Sequence, residues 1–548
     1  MMKGSLGFVL LASAAAFAQP RILSVRNAAS FLPPGVPFHA IAQGSVFAVI
    51  GTGLGPEEPV IAEASADNPL QLELGGVTIK ITSGQVTTDA ILYSVSPTKV
   101  TAILPSSTPV GNGTVRLTYN GATVTSAPFR IVSSALGLSS VPGNGFGGAV
   151  AQIKDLEKNT FTNAANPGET LVLQGSGLGA DANDETKPIE SAAHMADTPL
   201  EIYFGKSKAE ITFQGRSNRP GWDRVEVVVP EGTTGCYAAV YAKSGEFVSN
   251  TVTVSVAASG RLCEDLGFRS PDSETLFQKE EVNAAWYYLG KAITYIPAIG
   301  PLPANTTVAD NVNGNFVRYR TSQFSAYGGR SDPWFGGCTL IPAFGNDLVD
   351  LPQDIKTLDA GPSIGLTLPN GSEVRLAKAT PLSSYGYFSQ IPARPAFIPD
   401  QPGAFQFVAP GGEDVGAHEV TLQSMEPLRW TNRASITNVS RNAPLEVTWA
   451  GGDPDSYVVI QGGSTSTTNP PLVTLFTCLE RASAGRFTIP KDILASLLPS
   501  TVTPGPISVP TGQLILVNYR FPAKFEAPGI DTANIVYYLW QTHLVNYP

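Results

Sequence analysis

Five short stretches have residue types and spacings that invite a chemical reading. Gly361-Pro-Ser363-Ile-Gly365 has the letters of a nucleophile elbow. That motif needs a strand before the serine and a helix after it. Here Leu366-Thr-Leu-Pro369-Asn-Gly comes next, a short strand and a turn, so Ser363 reads as the entry to a strand. His418-Glu419 opens like a zinc-binding H-E-x-x-H helix, but position 422 is Leu, and His418 reads as the start of an exposed edge strand. Gly205-Lys206-Ser207 resembles the end of a phosphate-binding loop, yet the glycine required upstream is replaced by Leu200. Gly175-Ser-Gly177-Leu-Gly-Ala180 formally fits the dinucleotide fingerprint. A pyrophosphate site needs a helix directly behind the glycines. The chain instead continues into the acidic loop Asp181-Ala-Asn-Asp-Glu, so the glycines read as a tight turn that needs positive φ. Finally, Trp334-Phe335 lies on a loop just before Gly336-Gly337-Cys338. Aromatic rings so placed can stack on a sugar or dock a partner, or pack beside a disulfide.

Acidic clusters give a cofactor expectation of none, with structural calcium as the alternative. Asp453 and Asp455, Glu413 and Asp414, and the trio Asp181, Asp184 and Glu185 lie on turns, but none has the ligand spacing of a dedicated calcium loop. The four histidines, His39, His194, His418 and His543, are scattered, and no C-x-x-C occurs, so zinc is not expected. No catalytic residue is assigned.

The elements that must carry these residues can be read from composition. The chain has 548 residues, three to four domains' worth, and only 15% are charged. There are 54 Gly and 45 Pro falling between short apolar runs, the pattern of a turn-rich, all-β protein. A net charge of −10 argues against a nucleic-acid partner, which needs a basic footprint. Residues 1–18 have the layout of a secretory leader: Lys3, an apolar stretch, then Ala16-Phe17-Ala18, with Gln19 as the expected mature start. No later run approaches membrane-spanning length. In an oxidising compartment Cys236, Cys263, Cys338 and Cys478 favour two disulfides. Of three connectivities, Cys236–Cys263 with Cys338–Cys478 is favoured because the first closes a short loop.

An internal repeat organises the first half. Gly44-Ser-Val-Phe-Ala-Val-Ile-Gly-Thr-Gly-Leu-Gly55 recurs 124 residues later as Gly168-Glu-Thr-Leu-Val-Leu-Gln-Gly-Ser-Gly-Leu-Gly179. Lys99-Val-Thr-Ala-Ile-Leu-Pro105 is echoed by Arg224-Val-Glu-Val-Val-Val-Pro230, and each copy ends in alternating strands around Asn120-Gly121 and Ser244-Gly245, both hairpin signals. About seven short strands per copy means tandem β-sandwiches. These openings, the Val-x-x-x-x-Pro strand and the closing Ser249-Asn250-Thr-Val-Thr-Val resemble immunoglobulin-like domains of the IPT/TIG type. With Asn27-Ala-Ala-Ser-Phe they are similar to secreted multidomain proteins of acidobacteria. The resemblance covers about 24–258 and implies scaffolding or binding modules without an activity. The domains expected are 24–134 and 140–258 (immunoglobulin-like), 261–425 (β-rich) and 426–548 (sandwich-like), with a short helix from Lys491 and a mixed segment at 272–290. Trp449 is expected in a core.

The functional expectation is a secreted, non-catalytic protein acting as an extracellular binding, adhesion or spacer module, with the periplasm as the other compartment. Its partner would be an extracellular protein or a polysaccharide. The alternatives are a carbohydrate- or polymer-binding accessory protein using Trp334 and Phe335, and a hydrolase in the C-terminal half with Ser363 foremost.

Overall fold

The computed structural model describes residues 20–155, 157–191, 193–264, 275–276, 278–298, 301–320, 333–344, 355–379, 386–389, 396–468, 470–500 and 510–548. The expected leader, 1–18, lies outside them.

The architecture is all-β, and each repeat copy is a two-sheet sandwich. Alternation decides which face of each strand is buried: in Val77–Ser83, Val77, Ile79 and Ile81 point into the core while Lys80 and Thr82 face out. In the first copy a five-stranded and a six-stranded sheet enclose Val49, Ile79, Val100, Val115 and their neighbours. In the second, a six-stranded and a four-stranded sheet enclose Leu171, Leu173, Val225, Val240 and Val252. The repeated opening strands are Val46–Thr52 and Thr170–Ser176. Asn120 (φ 48°) and Gly121 (φ 79°) make the two-residue turn of the hairpin Gly111–Tyr119 with Ala122–Val132.

The two sandwiches dock through the Gly-x-Gly-Leu-Gly turn of the second. Ser176 Oγ accepts from Val46 N at 2.8 Å and donates to Gly221 O at 2.7 Å. Asn27 Nδ2 donates to Ser176 O at 2.9 Å, and Tyr93 OH to Pro220 O at 2.7 Å.

Beyond residue 280 a sheet of fourteen strands among the described residues dominates. Its path begins with Cys338–Phe344, Leu472–Arg481, Ser456–Thr465 and Gly512–Arg520. It continues through the long strands Thr532–Val545, Glu281–Ile296 and Asn305–Arg320 and ends at the edge strand His418–Gln423. One half packs against a three-stranded sheet containing Leu445–Gly451, over a core that holds Trp449. The other half curls back on itself around Tyr287, Phe316, Phe405 and Phe407. Strands from 281–344 therefore hydrogen-bond to strands from 456–545, and the division at 425/426 separates no independent unit. The parallel pairing of Glu281–Ile296 with Thr532–Val545 joins opposite ends of the region beyond the repeat, and local turn signals do not reveal such a partner.

Three local expectations have clear outcomes. The helix is Lys491–Ala495 with Pro490 as its N-cap. In the mixed segment, Thr275 and Leu276 are helical and the strand begins at Glu281. The two disulfides are Cys236–Cys263 and Cys338–Cys478, the favoured pairing. No helix among the described residues is long and apolar enough to cross a membrane.

Candidate functional site

The sequence-level chemistry is dispersed by the fold. Ser363 begins the strand Ser363–Thr367, paired on both sides, so no elbow forms. His418 does begin an edge strand, but it is buried, not exposed: its Nε2 is 2.9 Å from Tyr287 OH and its Nδ1 2.9 Å from Gly416 O. Phe316 and Phe525 pack around that pair because the sheet folds its own edge over the core. Burial pushes the His418 pKa down. Several of the acidic residues accept backbone hydrogen bonds, and Asp414 and Asp181 also pair with Lys356 and Arg216. Asp453 Oδ1 accepts from Asp455 N, Asp414 Oδ2 from Asp359 N, and Asp184 Oδ1 from Thr186 N.

The dinucleotide-like turn is filled by the chain itself. Asp223 is fully buried, and its Oδ2 accepts from Gly177 N at 2.6 Å and Leu178 N at 2.8 Å. Arg216 Nη1 donates to Asp223 Oδ1 at 2.5 Å, and Nη2 donates to Gly179 O at 2.6 Å. Consecutive backbone N–H groups at a turn form an anion nest, and an internal carboxylate occupies the one made by Gly177 (φ 128°) and Leu178. Glu185 completes the junction by accepting from Ser106 N and Ser106 Oγ, and burial pushes its carboxyl up.

Trp334 and Phe335 sit where the second sandwich meets the large sheet. The Cys338–Cys478 bridge joins directly opposed residues of neighbouring strands and so anchors the chain just after this loop. Trp334 N donates to Tyr237 O at 3.0 Å, and its Nε1 to Thr234 Oγ1 at 3.0 Å. The indole occupies the space a Cβ on Gly235 would need, and Gly235 has φ +104°, so glycine is required twice over. Phe335 meets Tyr457 and Phe521 edge-on, with the Arg481 guanidinium 4.5 Å from its ring centre. Both aromatics are half-buried. Much of each ring is spent on the junction; the remainder lines a cleft of about 250 Å³ with Lys206, Ser207, Glu231 and Thr233.

A larger concavity, about 500 Å³, lies in the second sandwich and is signalled by no motif. In the first copy the strand Arg21–Asn27 runs along Val46–Thr52, with a bulge between Ile22 and Ser24. In the second copy the same edge is split into Gly137–Leu138 and Ala151–Ile153. Residues 139–150, the Gly-rich run SSVPGNGFGGAV, leave the sheet at the place of that bulge. They cross to the opposite sheet, where Ala149 N donates to Thr253 O and Thr253 N to Gly147 O, each at 2.8 Å. A second wall is fixed by Asn159, whose amide bonds Ser255 O and Ser255 N at 2.8 Å each. Phe161 forms a third wall, edge-on to Tyr237 at 5.3 Å beside the Cys236–Cys263 bridge. The only hint in the sequence is the glycine cluster at 143–148, which has no counterpart in the first copy.

No family model matches this chain, and no curated protein matches it. Among solved structures it is similar to SGBP-B of the Bacteroides ovatus mixed-linkage glucan utilization locus, solved with a mixed-linkage heptasaccharide. That match has 12% identity over 51% of this chain and 67% of that one, with a TM-score of 0.20. It is also similar to the S-layer protein SbsC (10% identity, 95% of this chain, 54% of that one, TM-score 0.18) and to a titin fragment (13%, 43% and 98%, TM-score 0.13). Likenesses this distant carry no functional argument. The fold class stands on the strand pairing itself.

Proposed function

We propose that the chain is an exported, non-catalytic, multidomain β-protein that binds or spaces partners outside the cytoplasm. The observation that carries this reading is the buried pair of disulfides, one closing the second sandwich and one between neighbouring strands of the large sheet. Cys236–Cys263 ties the end of the second sandwich, and Cys338–Cys478 ties the loop that meets it. Disulfides of this kind persist in oxidising compartments. The dispersal of Ser363, His418 and the acidic residues supports the non-catalytic part. A polymer-binding role is the second reading, favoured by the cleft beside Trp334 with its aromatic edge and polar rim.

A survey of the purified full chain against esters, peptides and polysaccharides, read by product chromatography, tests the first reading. No turnover is expected. Turnover abolished by Ser363→Ala or His418→Gln contradicts it. Retention on insoluble polysaccharide that is lost in Trp334→Ala, with melting unchanged, supports the second reading, and retention indifferent to Trp334 removes it.

A further inference from the structure

We infer that the 500 Å³ pocket of the second sandwich is a binding site for a neutral oligosaccharide. The inference rests on the binding half of the proposed function but uses a site away from Trp334. The pocket falls within the ~300–1,000 Å³ of small-ligand sites. Its walls combine apolar surface with a few uncommitted polar groups. Phe161, Val141, Val150 and Cys236 supply the apolar part. Gln152 and Gln174 supply two side-chain amides that form no hydrogen bond among the described residues. Neighbouring amides behave differently: Asn159, Asn163 and Asn166 each bond backbone groups.

Their placement comes from the split edge strand. Ala151 and Ile153 point into the core, so Gln152 between them faces the other way. Leu171 and Leu173 do the same for Gln174 on the neighbouring strand. In the first copy the matching positions are Arg26 and Ile50, so this pair of amides belongs to the second copy alone. Each amide offers two donors and an acceptor oxygen. Among the described residues one formal charge, Lys158, lines the pocket, and no carboxylate does.

That donor set selects the ligand by elimination. A phosphate or polyanion is matched by clustered guanidinium groups, which the lining lacks. A purely apolar ligand leaves both amides without partners when it expels their water. A carbohydrate offers a C–H face for Phe161 and hydroxyls that both donate and accept for Gln152 and Gln174. The disulfide and Asn159 hold the walls before binding, which limits the ordering cost.

The test is calorimetry on the full chain with cellotriose, maltotriose, laminaritriose, xylotriose and chitotriose. At least one is expected to bind with a single site. Gln152→Ala/Gln174→Ala should weaken it by about tenfold or more, and the shape-preserving Gln152→Met/Gln174→Met should do the same if the first pair perturbs folding. Lys80→Ala, at an exposed ion pair of the first sandwich, should leave it unchanged. Silence with all five sugars at about 5 mM, or binding indifferent to both pairs, overturns the assignment. So does tighter binding of galacturonate trimer, which would point to Lys158 and an acidic ligand. Sugar cleavage in the same incubations would contradict the non-catalytic reading and leave the site standing, so the two failures are distinguishable.

Discussion

Replacing Asp223 by alanine probes how the repeated glycine turn is held. The carboxylate serves Gly177 N, Leu178 N and the Arg216 guanidinium, all in a fully buried setting. In Asp223→Ala the two N–H groups lose their acceptor and Arg216 keeps only Gly179 O and a 3.4 Å approach to Asp181. Breaking a buried pair from one side costs about 3–5 kcal/mol, because the remaining charge is stranded. For a unit the size of the two docked sandwiches, each kcal/mol lowers Tm by about 2–4 °C, so the loss is roughly 6–20 °C. Differential scanning calorimetry on the full chain measures it, and hydrogen exchange at Gly177 and Leu178 locates it. Asp223→Leu/Arg216→Met, which removes both charges, should cost less than Asp223→Ala alone. A single-variant loss under about 1 kcal/mol, the surface range, refutes the idea that an internal carboxylate holds the turn.

Gly235→Ala drives a Cβ into the Trp334 ring and forces a positive φ, at about 2–4 kcal/mol; in a Trp334→Ala background the steric part vanishes, so a double-mutant cycle should show at least about 1 kcal/mol of coupling. Additive effects would contradict the packing described. His39, His418 and His543 all have pKa values pushed down, chiefly by burial. The unfolded chain, with histidines near ~6.5, then binds more protons than the folded one, so stability is full above that pH and falls as pH drops through the folded values. Melting scans from about pH 8 to 5 should show this decline, and a flat or rising Tm contradicts it. Cys338→Ser/Cys478→Ser opens a loop of 140 residues; the loop-entropy model gives roughly 5 kcal/mol, and a denaturation midpoint unchanged in the variant would show that the bridge adds nothing.

What the sequence reveals divides along the range of the interactions. The 124-residue offset is visible because each sandwich is specified by its own short strands, and alternation such as Val77, Ile79 and Ile81 assigns the faces directly. The Asn120-Gly121 turn is equally local. The parallel partnership of Glu281–Ile296 and Thr532–Val545 is not, since both segments are mostly apolar and neither marks its partner. The exposure of His418 is misread for a related reason. Alternation identifies an exposed edge strand, as found, but only the curl of the sheet buries the His418 side chain at its start against Tyr287 and Phe525. The pocket has no sequence signature because it arises from an interruption: residues 139–150 leave a strand that the first copy keeps nearly whole. Trp334 is legible as a loop aromatic beside a disulfide, whereas its bond to Thr234 requires the third dimension.

Intact-mass and non-reducing peptide mapping of the chain, isolated from an export-competent bacterial culture under thiol-blocking conditions, tests the account most directly. The protein is expected to accumulate outside the cytoplasm, to begin at Gln19, and to yield linked peptides for Cys236 with Cys263 and Cys338 with Cys478. Recovery from the cytoplasm with all four thiols blocked would contradict it.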